Sequence, residues 1–184
     1  MKRTLIGVAI ASLVLFFWGF LYWGMGPYKT LIWKHTSDDA AAGAALREHF
    51  PQNGTYLVPG FANDDATMEA LSKKGPVALV NMIAVEGASS FDPMMLLKGF
   101  VLNLIVIVLI ALLLRRVASS LPSYKDRVMF VALAGLTATV LIDGGDIAWW
   151  HISWTWKLYQ AFYSFSFWVI AGLILARFVA PKTA

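Results

Sequence analysis

Four long apolar stretches constrain this sequence more than any other feature. They cover residues 4–24, about 96–114, about 128–149 and about 158–180. About 20 helical residues cross the hydrocarbon core of a bilayer, so each stretch is long enough to span it. The first stretch follows two basic residues and ends in aromatic residues without a small-residue cleavage site, which predicts an uncleaved anchor and not a signal peptide.

The stretches predict an integral membrane protein that is mainly α-helical. We expect a four-transmembrane-helix bundle with a small α/β extracytoplasmic subdomain between helices 1 and 2. The predicted domains are transmembrane helix 1 in residues 1–26, the subdomain in 27–93 and a three-helix transmembrane region in 94–184. Charged residues make up 14% of the chain, well below the roughly 25% of soluble domains.

The distribution of Lys and Arg orients the predicted spans, because cytoplasmic loops are enriched in both. The chain ends, with the loop 115–127, carry eight basic residues and one acid, a net charge of +7, whereas the remainder of the chain carries −3. This predicts that both termini are cytoplasmic and that 27–93 and 150–157 lie on the other side.

The short loops favour a bacterial cytoplasmic (inner) membrane. Basic residues flank the apolar stretches, so we expect the lipid bilayer and other membrane protein subunits as partners, and no nucleic acid.

Segment 27–93 has the polarity of a globular domain. Ser37 is expected to cap its first helix. Two strands in about 65 residues make a marginal core, so the subdomain should lean on the membrane surface or on a partner. The expected elements are helices over 38–49 and 65–74 and strands over 55–59 and 77–85. The residues expected to face inward are Leu46, Phe50, Leu57, Leu71, Leu79 and Met82.

Two aspartates in the third stretch are the strongest candidates for a site, because carboxylates inside a membrane are costly and often functional. Asp143 and Asp146 flank a glycine pair, and His151 follows. Two Asp and one His can bind a divalent metal. On a regular helix, however, His151 points about 140° away from Asp146, so we expect no metal site. A lipid, quinone or metal bound at the outer face would contact Asp143, Asp146, His151, Trp149, Trp150 and Trp154.

A polar cluster is predicted about 7–9 Å below the outer ends of the spans, counting about 1.5 Å per residue. A carboxylate at that depth should face the bundle and accept hydrogen bonds from neighbouring spans. The members of this predicted polar intramembrane cluster are Trp18, Asn103, Asp143 and Ser164.

Several kinds of chemistry are disfavoured by what the sequence lacks. There is no cysteine, which excludes thiol catalysis and thiolate metal sites. No histidine lies mid-span, and no nucleotide-binding or hydrolase motif is present. We expect no cofactor and lean against an enzyme. The leading hypothesis is a non-enzymatic accessory or scaffolding subunit of a larger membrane protein complex. The alternative is a ligand-binding membrane protein that uses the outer-face Asp, His and Trp residues.

Overall fold

A computed structural model describes residues 2–89 and 91–179. The described residues form two compact units, one from residues 2–33 with 92–179 and the other from residues 34–89 with 91. The helices are α1 (Lys2–Gly19), α2 (Tyr28–Leu31), α3 (Asp39–His49), α4 (Asp65–Lys74), α5 (Pro93–Val117), α6 (Tyr124–Thr139), α7 (Gly145–Trp150) and α8 (Trp154–Phe178). The strands are β1 (Gly54–Val58) and β2 (Ala78–Met82).

The first unit contains four helical segments that are long and apolar enough to cross a membrane. They are Lys2–Leu31, Pro93–Ser120, Tyr124–Trp150 and Trp154–Phe178. The four predicted apolar helices are therefore confirmed. The fourth begins at Trp154 rather than near 158, and this places Lys157 inside it.

Local sequence explains where these helices begin. The Asp92 side chain accepts the amide of Met94 at the start of α5, and Pro93 occupies the first turn, where its missing amide proton costs nothing. At the start of α6, Ser123 and Asp126 form a capping box in which each side chain bonds the other's backbone amide.

Helix α8 lies at the centre of the bundle, with α6 and α1 packed against it and α5 packed against α1. Small residues permit these contacts. A side chain at Gly7 would meet Phe178 at 2.6 Å, and one at Gly172 would meet Val131 at 3.2 Å. Large apolar residues with under 2% exposure fill the space between the helices: Leu15, Ile107, Leu114, Val131 and Leu175.

Arg127 forms hydrogen bonds that join the start of α6 to the C-terminal end of α8 and to the loop before α6. Its Nε donates to the Ala176 carbonyl at 3.2 Å, and its Nη1 donates to the carbonyls of Leu121 and Pro122 at 2.9 and 3.0 Å. Part of the basic charge in loop 115–127 therefore satisfies carbonyls at the end of α8 and in the loop itself, in addition to any effect on orientation.

The second unit holds the two predicted helices and a two-stranded sheet. β1 and β2 pair antiparallel, with Gly54 opposite Met82 and Val58 opposite Ala78. Asp38, and not Ser37, caps α3: its carboxylate accepts two backbone amides at 3.0 Å, because it directly precedes the first turn. At α4, hydrogen bonds from the Thr67 hydroxyl and amide to the cap residue Asp64 hold the pKa of that carboxyl below its usual value.

The core of the second unit is very small. Among its described residues only Pro59 is buried. Phe50, Leu57 and Met82 are half-buried, as predicted. Leu46, Leu71 and Leu79 are exposed, so their predicted inward orientation is wrong. Two short strands and two helices of about three turns offer too little surface to enclose six apolar side chains.

Candidate ligand site in the helix bundle

A turn between α7 and α8 brings basic and acidic side chains together inside the candidate spans. His151 adopts a left-handed backbone conformation (φ 51°) that ends α7, and α8 runs back antiparallel from Trp154. As a result, Lys157 on α8 reaches the two aspartates before the turn. Its Nζ lies 2.6 Å from Asp143 Oδ1 and 2.8 Å from Asp146 Oδ2. We call Asp143, Asp146 and Lys157 the ion triad.

The ammonium of Lys157 is fully used within this group. It also donates to Gln160 Oε1 at 2.8 Å, so its three protons have three acceptors. Lys157 is 5% exposed and Asp143 is 6% exposed. With two carboxylates and one ammonium ionised, the ion triad carries a net charge of −1.

Two π-helical turns lie beside the triad, one in the first candidate span and one in the third. Val140–Gly144 contains Asp143, and Phe20–Gly24 contains Tyr22 and Trp23. The helix does not break at the glycine pair: the π-helical turn ends at Gly144, and α7 begins at Gly145. Such turns are rare and are often found at functional sites.

The π-helical turn Phe20–Gly24 is joined to α8 by a reciprocal pair of hydrogen bonds. The Tyr22 hydroxyl donates to the Tyr159 carbonyl at 2.8 Å, and the Tyr159 hydroxyl donates to the Tyr22 carbonyl at 2.9 Å. The two rings also pack with centroids 4.4 Å apart. These contacts fix Trp23, the next residue, at the level of the ion triad.

A cavity of about 340 Å³ lies next to the ion triad. Side chains from the first, third and fourth candidate spans line it: Trp23, Ala138, Thr139, Ile142, Asp143, Lys157, Gln160, Tyr163, Ser164 and Trp168. Thr139 is 6% exposed, and its hydroxyl has no hydrogen-bond partner among the described residues. A buried hydroxyl without a partner is costly.

The predicted polar cluster is only partly brought together. Asp143 and Ser164 line the same cavity. Trp18 instead donates its indole N–H to Ser166 at 3.0 Å, and Asn103 is half-buried with no side-chain hydrogen bond to any described residue. Lys157 takes the place expected for neutral donors, because a charge-assisted bond to a carboxylate is stronger than a neutral one.

The predicted outer-face ligand set is also divided by the structure. Asp143 and Asp146 belong to the ion triad. His151 lies in the turn and is exposed. Trp149, Trp150 and Trp154 are 79%, 60% and 66% exposed and do not line the cavity. Within residues 2–89 and 91–179, no group of three His, Asp or Glu side chains is placed to hold a metal ion.

Sequence reasoning missed Lys157, Gln160 and Thr139, although a signal for the first was available. Antiparallel helices joined by a short loop bring together residues at equal distances from the turn. Asp146 precedes Ile152 by six residues and Lys157 follows it by five. That symmetry predicts their contact once α8 is known to begin at Trp154.

No protein-family model matches this chain, and no curated protein or solved structure shows significant similarity to it.

Proposed function

We propose that this chain is a multi-pass membrane protein that binds a small ligand in the cavity beside the ion triad. The observation that carries the proposal is a charged cavity inside helices whose length and composition suit a membrane. Ionisable residues there are costly and usually serve a pathway or a ligand. Replacing a buried ion pair with apolar residues is often neutral or stabilising, so stability alone is a weak reason to keep one.

The lining of the cavity also supports a ligand role. Convergent polar groups within apolar and aromatic walls are the usual character of a small-molecule site, and here Gln160 and Ser164 face the same space as Trp23 and Trp168.

The test is purification in mild detergent followed by native mass spectrometry of the intact protein. We expect the wild-type protein to retain a small molecule and Asp143→Asn to fold but release it, because the isosteric amide keeps the shape and removes the charge. Glu86→Gln removes an exposed carboxylate far from the ion triad in sequence and is the matched control. Equal occupancy in wild type and Asp143→Asn would refute the proposal.

A second candidate function is that of a non-enzymatic accessory or scaffolding subunit. The supporting observation is a set of exposed large apolar side chains in the second unit: Phe61 is 83% exposed, Ile83 is 81% exposed and Val77 is 62% exposed. Side chains of this kind offer apolar contact area to a partner. A subunit should co-purify with other chains in stoichiometric amounts, and Ile83→Ser should release them. A monodisperse single chain would favour the ligand-binding function instead.

We further propose a bacterial cytoplasmic membrane as the location, with both termini in the cytoplasm. The uneven distribution of Lys and Arg supports this orientation.

A further inference from the structure

We propose that the cavity beside the ion triad binds an organic ammonium cation. This inference rests on the proposed ligand-binding function and adds the chemical class of the ligand. It follows from the charge of the ion triad, from the hydrogen-bonding groups that remain free, and from the walls of the cavity.

The charge balance favours a cation over an anion. Two carboxylates face one ammonium, so the ion triad has one negative charge in excess. Lys157, the cation at this site, already donates to Asp143, Asp146 and Gln160. An entering phosphate or carboxylate would find no free proton on Lys157 and would be repelled by the net charge.

The cavity also offers acceptors suited to an ammonium. The ion pair with Lys157 uses one oxygen of Asp143 and leaves the second oxygen of this cavity-lining carboxylate outside the pair. The Ser164 side chain lines the same space. A primary ammonium has three protons to donate to such acceptors.

The walls of the cavity suit the same ligand. Trp23, Tyr163 and Trp168 line it, and aromatic faces attract organic cations, with Trp the strongest. The volume of about 340 Å³ equals roughly ten water molecules, enough for an ammonium group with short alkyl substituents. Ile142 also lines the cavity and is 62% exposed, so the cavity reaches the apolar surface of the bundle.

That opening allows two sources of the same chemistry. One is a free alkylammonium, and the other is the ammonium headgroup of a phospholipid.

The binding experiment therefore uses protein reconstituted in nanodiscs of phosphatidylglycerol, which has no ammonium group. Ethylammonium chloride is added, with tryptophan fluorescence and the midpoint of thermal unfolding as readouts. Ethanol and acetate serve as neutral and anionic probes, and sodium chloride controls for ionic strength.

We expect a saturable response to ethylammonium and none to ethanol, acetate or sodium. The decisive variant is Asp146→Asn. It keeps the pair between Lys157 and Asp143, and Asp146 is the more exposed of the two carboxylates, so the fold should persist. Because the net charge of the site becomes zero, ethylammonium should bind about tenfold more weakly or worse, whereas Glu86→Gln should bind as wild type does. Circular dichroism verifies that both variants are folded.

A second set of nanodiscs containing phosphatidylethanolamine distinguishes the sources. If the fluorescence and the unfolding midpoint change in these nanodiscs without added ethylammonium, and Asp146→Asn abolishes the change, the ligand is the lipid headgroup. If phosphatidylethanolamine causes no such change, the ligand is the free cation. Unchanged ethylammonium binding by Asp146→Asn overturns the inference. Saturable binding of acetate or ethanol that Asp143→Asn abolishes also overturns it but leaves the proposed function standing. No response to any probe, with no retained molecule after purification, overturns both.

Discussion

Lys157 pairs with two carboxylates and donates to one amide oxygen, so both carboxylates depend on this one side chain for their counter-charge. We expect Lys157→Met to lower the free energy of unfolding by about 3–5 kcal/mol, because it leaves Asp143 and Asp146 without a counter-charge in an apolar setting. Unfolding in a series of detergent mixtures, followed by circular dichroism, measures the change. Lys98→Met removes an exposed cation from α5 and is the control. Equal losses in the two variants would contradict the structural role of the triad.

Thr139 provides the opposite test, since its hydroxyl has no partner among the described residues. We expect Thr139→Val to raise the free energy of unfolding by about 1–3 kcal/mol, because an unsatisfied buried hydroxyl is removed. Thr137→Val is the control: its hydroxyl is exposed and bonds the Leu133 carbonyl at 2.9 Å. Destabilisation by Thr139→Val would show that the hydroxyl is satisfied in the native protein.

At the residue scale, the sequence identified Asp143 because a carboxylate in an apolar stretch is conspicuous. It did not identify Lys157, because a lysine at the edge of a stretch resembles the basic residues that flank any span. Nor could it predict that Trp18 bonds Ser166. Several polar side chains lie at similar depth, and the choice among them depends on the rotation of each helix about its axis.

At the scale of helices, the contact between α6 and α8 depends on Gly135. A side chain there would overlap the Cβ and Cγ atoms of Trp168, which lines the cavity. We therefore expect Gly135→Ala to lower the free energy of unfolding by about 1–3 kcal/mol and to weaken ligand binding, because Trp168 must shift. Gly99→Ala on α5 is the matched control, since nothing lies within 4 Å of the added methyl group. A shift of the tryptophan fluorescence spectrum in Gly135→Ala alone would locate the disturbance.

The helices themselves were predictable, because apolar length and basic flanks determine where a span can lie. The residues at which the helices begin and end were less predictable. The fourth helix starts at Trp154 because the left-handed turn at His151 is tight. Histidine is enriched in this conformation among non-glycine residues, but most histidines do not adopt it. The π-helical turns at Phe20–Gly24 and Val140–Gly144 also escaped prediction, since they depend on how the neighbouring helices pack.

At the scale of the whole molecule, the two units differ in how they are stabilised. In the first, buried apolar residues hold α1, α5, α6 and α8 together. In the second, the two strands pair, Asp38 and Asp64 cap the helices, and only Pro59 is buried among its described residues. The weak core of this segment was predictable from its length, whereas the exposure of Leu46 and Leu79 was not, because amphipathic spacing shows which face is apolar but not what covers it.

The orientation of the whole chain gives the last prediction. Four candidate spans, an even number, predict that both termini lie on one side of the membrane, and the net charge of +7 near the ends and loop 115–127, against −3 elsewhere, predicts that this side is the cytoplasm. Alkaline phosphatase is active only outside the cytoplasm. We therefore expect activity from a fusion within residues 60–75 and none from a fusion after Ala184. A fluorescent protein that matures only in the cytoplasm should show the reverse pattern at the same two positions. Replacing Arg115 and Arg116 with Asn should then reduce the bias, because basic residues next to a span set its direction. Phosphatase activity at the C-terminus of the unaltered chain would contradict the proposed orientation and, with four spans, would place both termini outside.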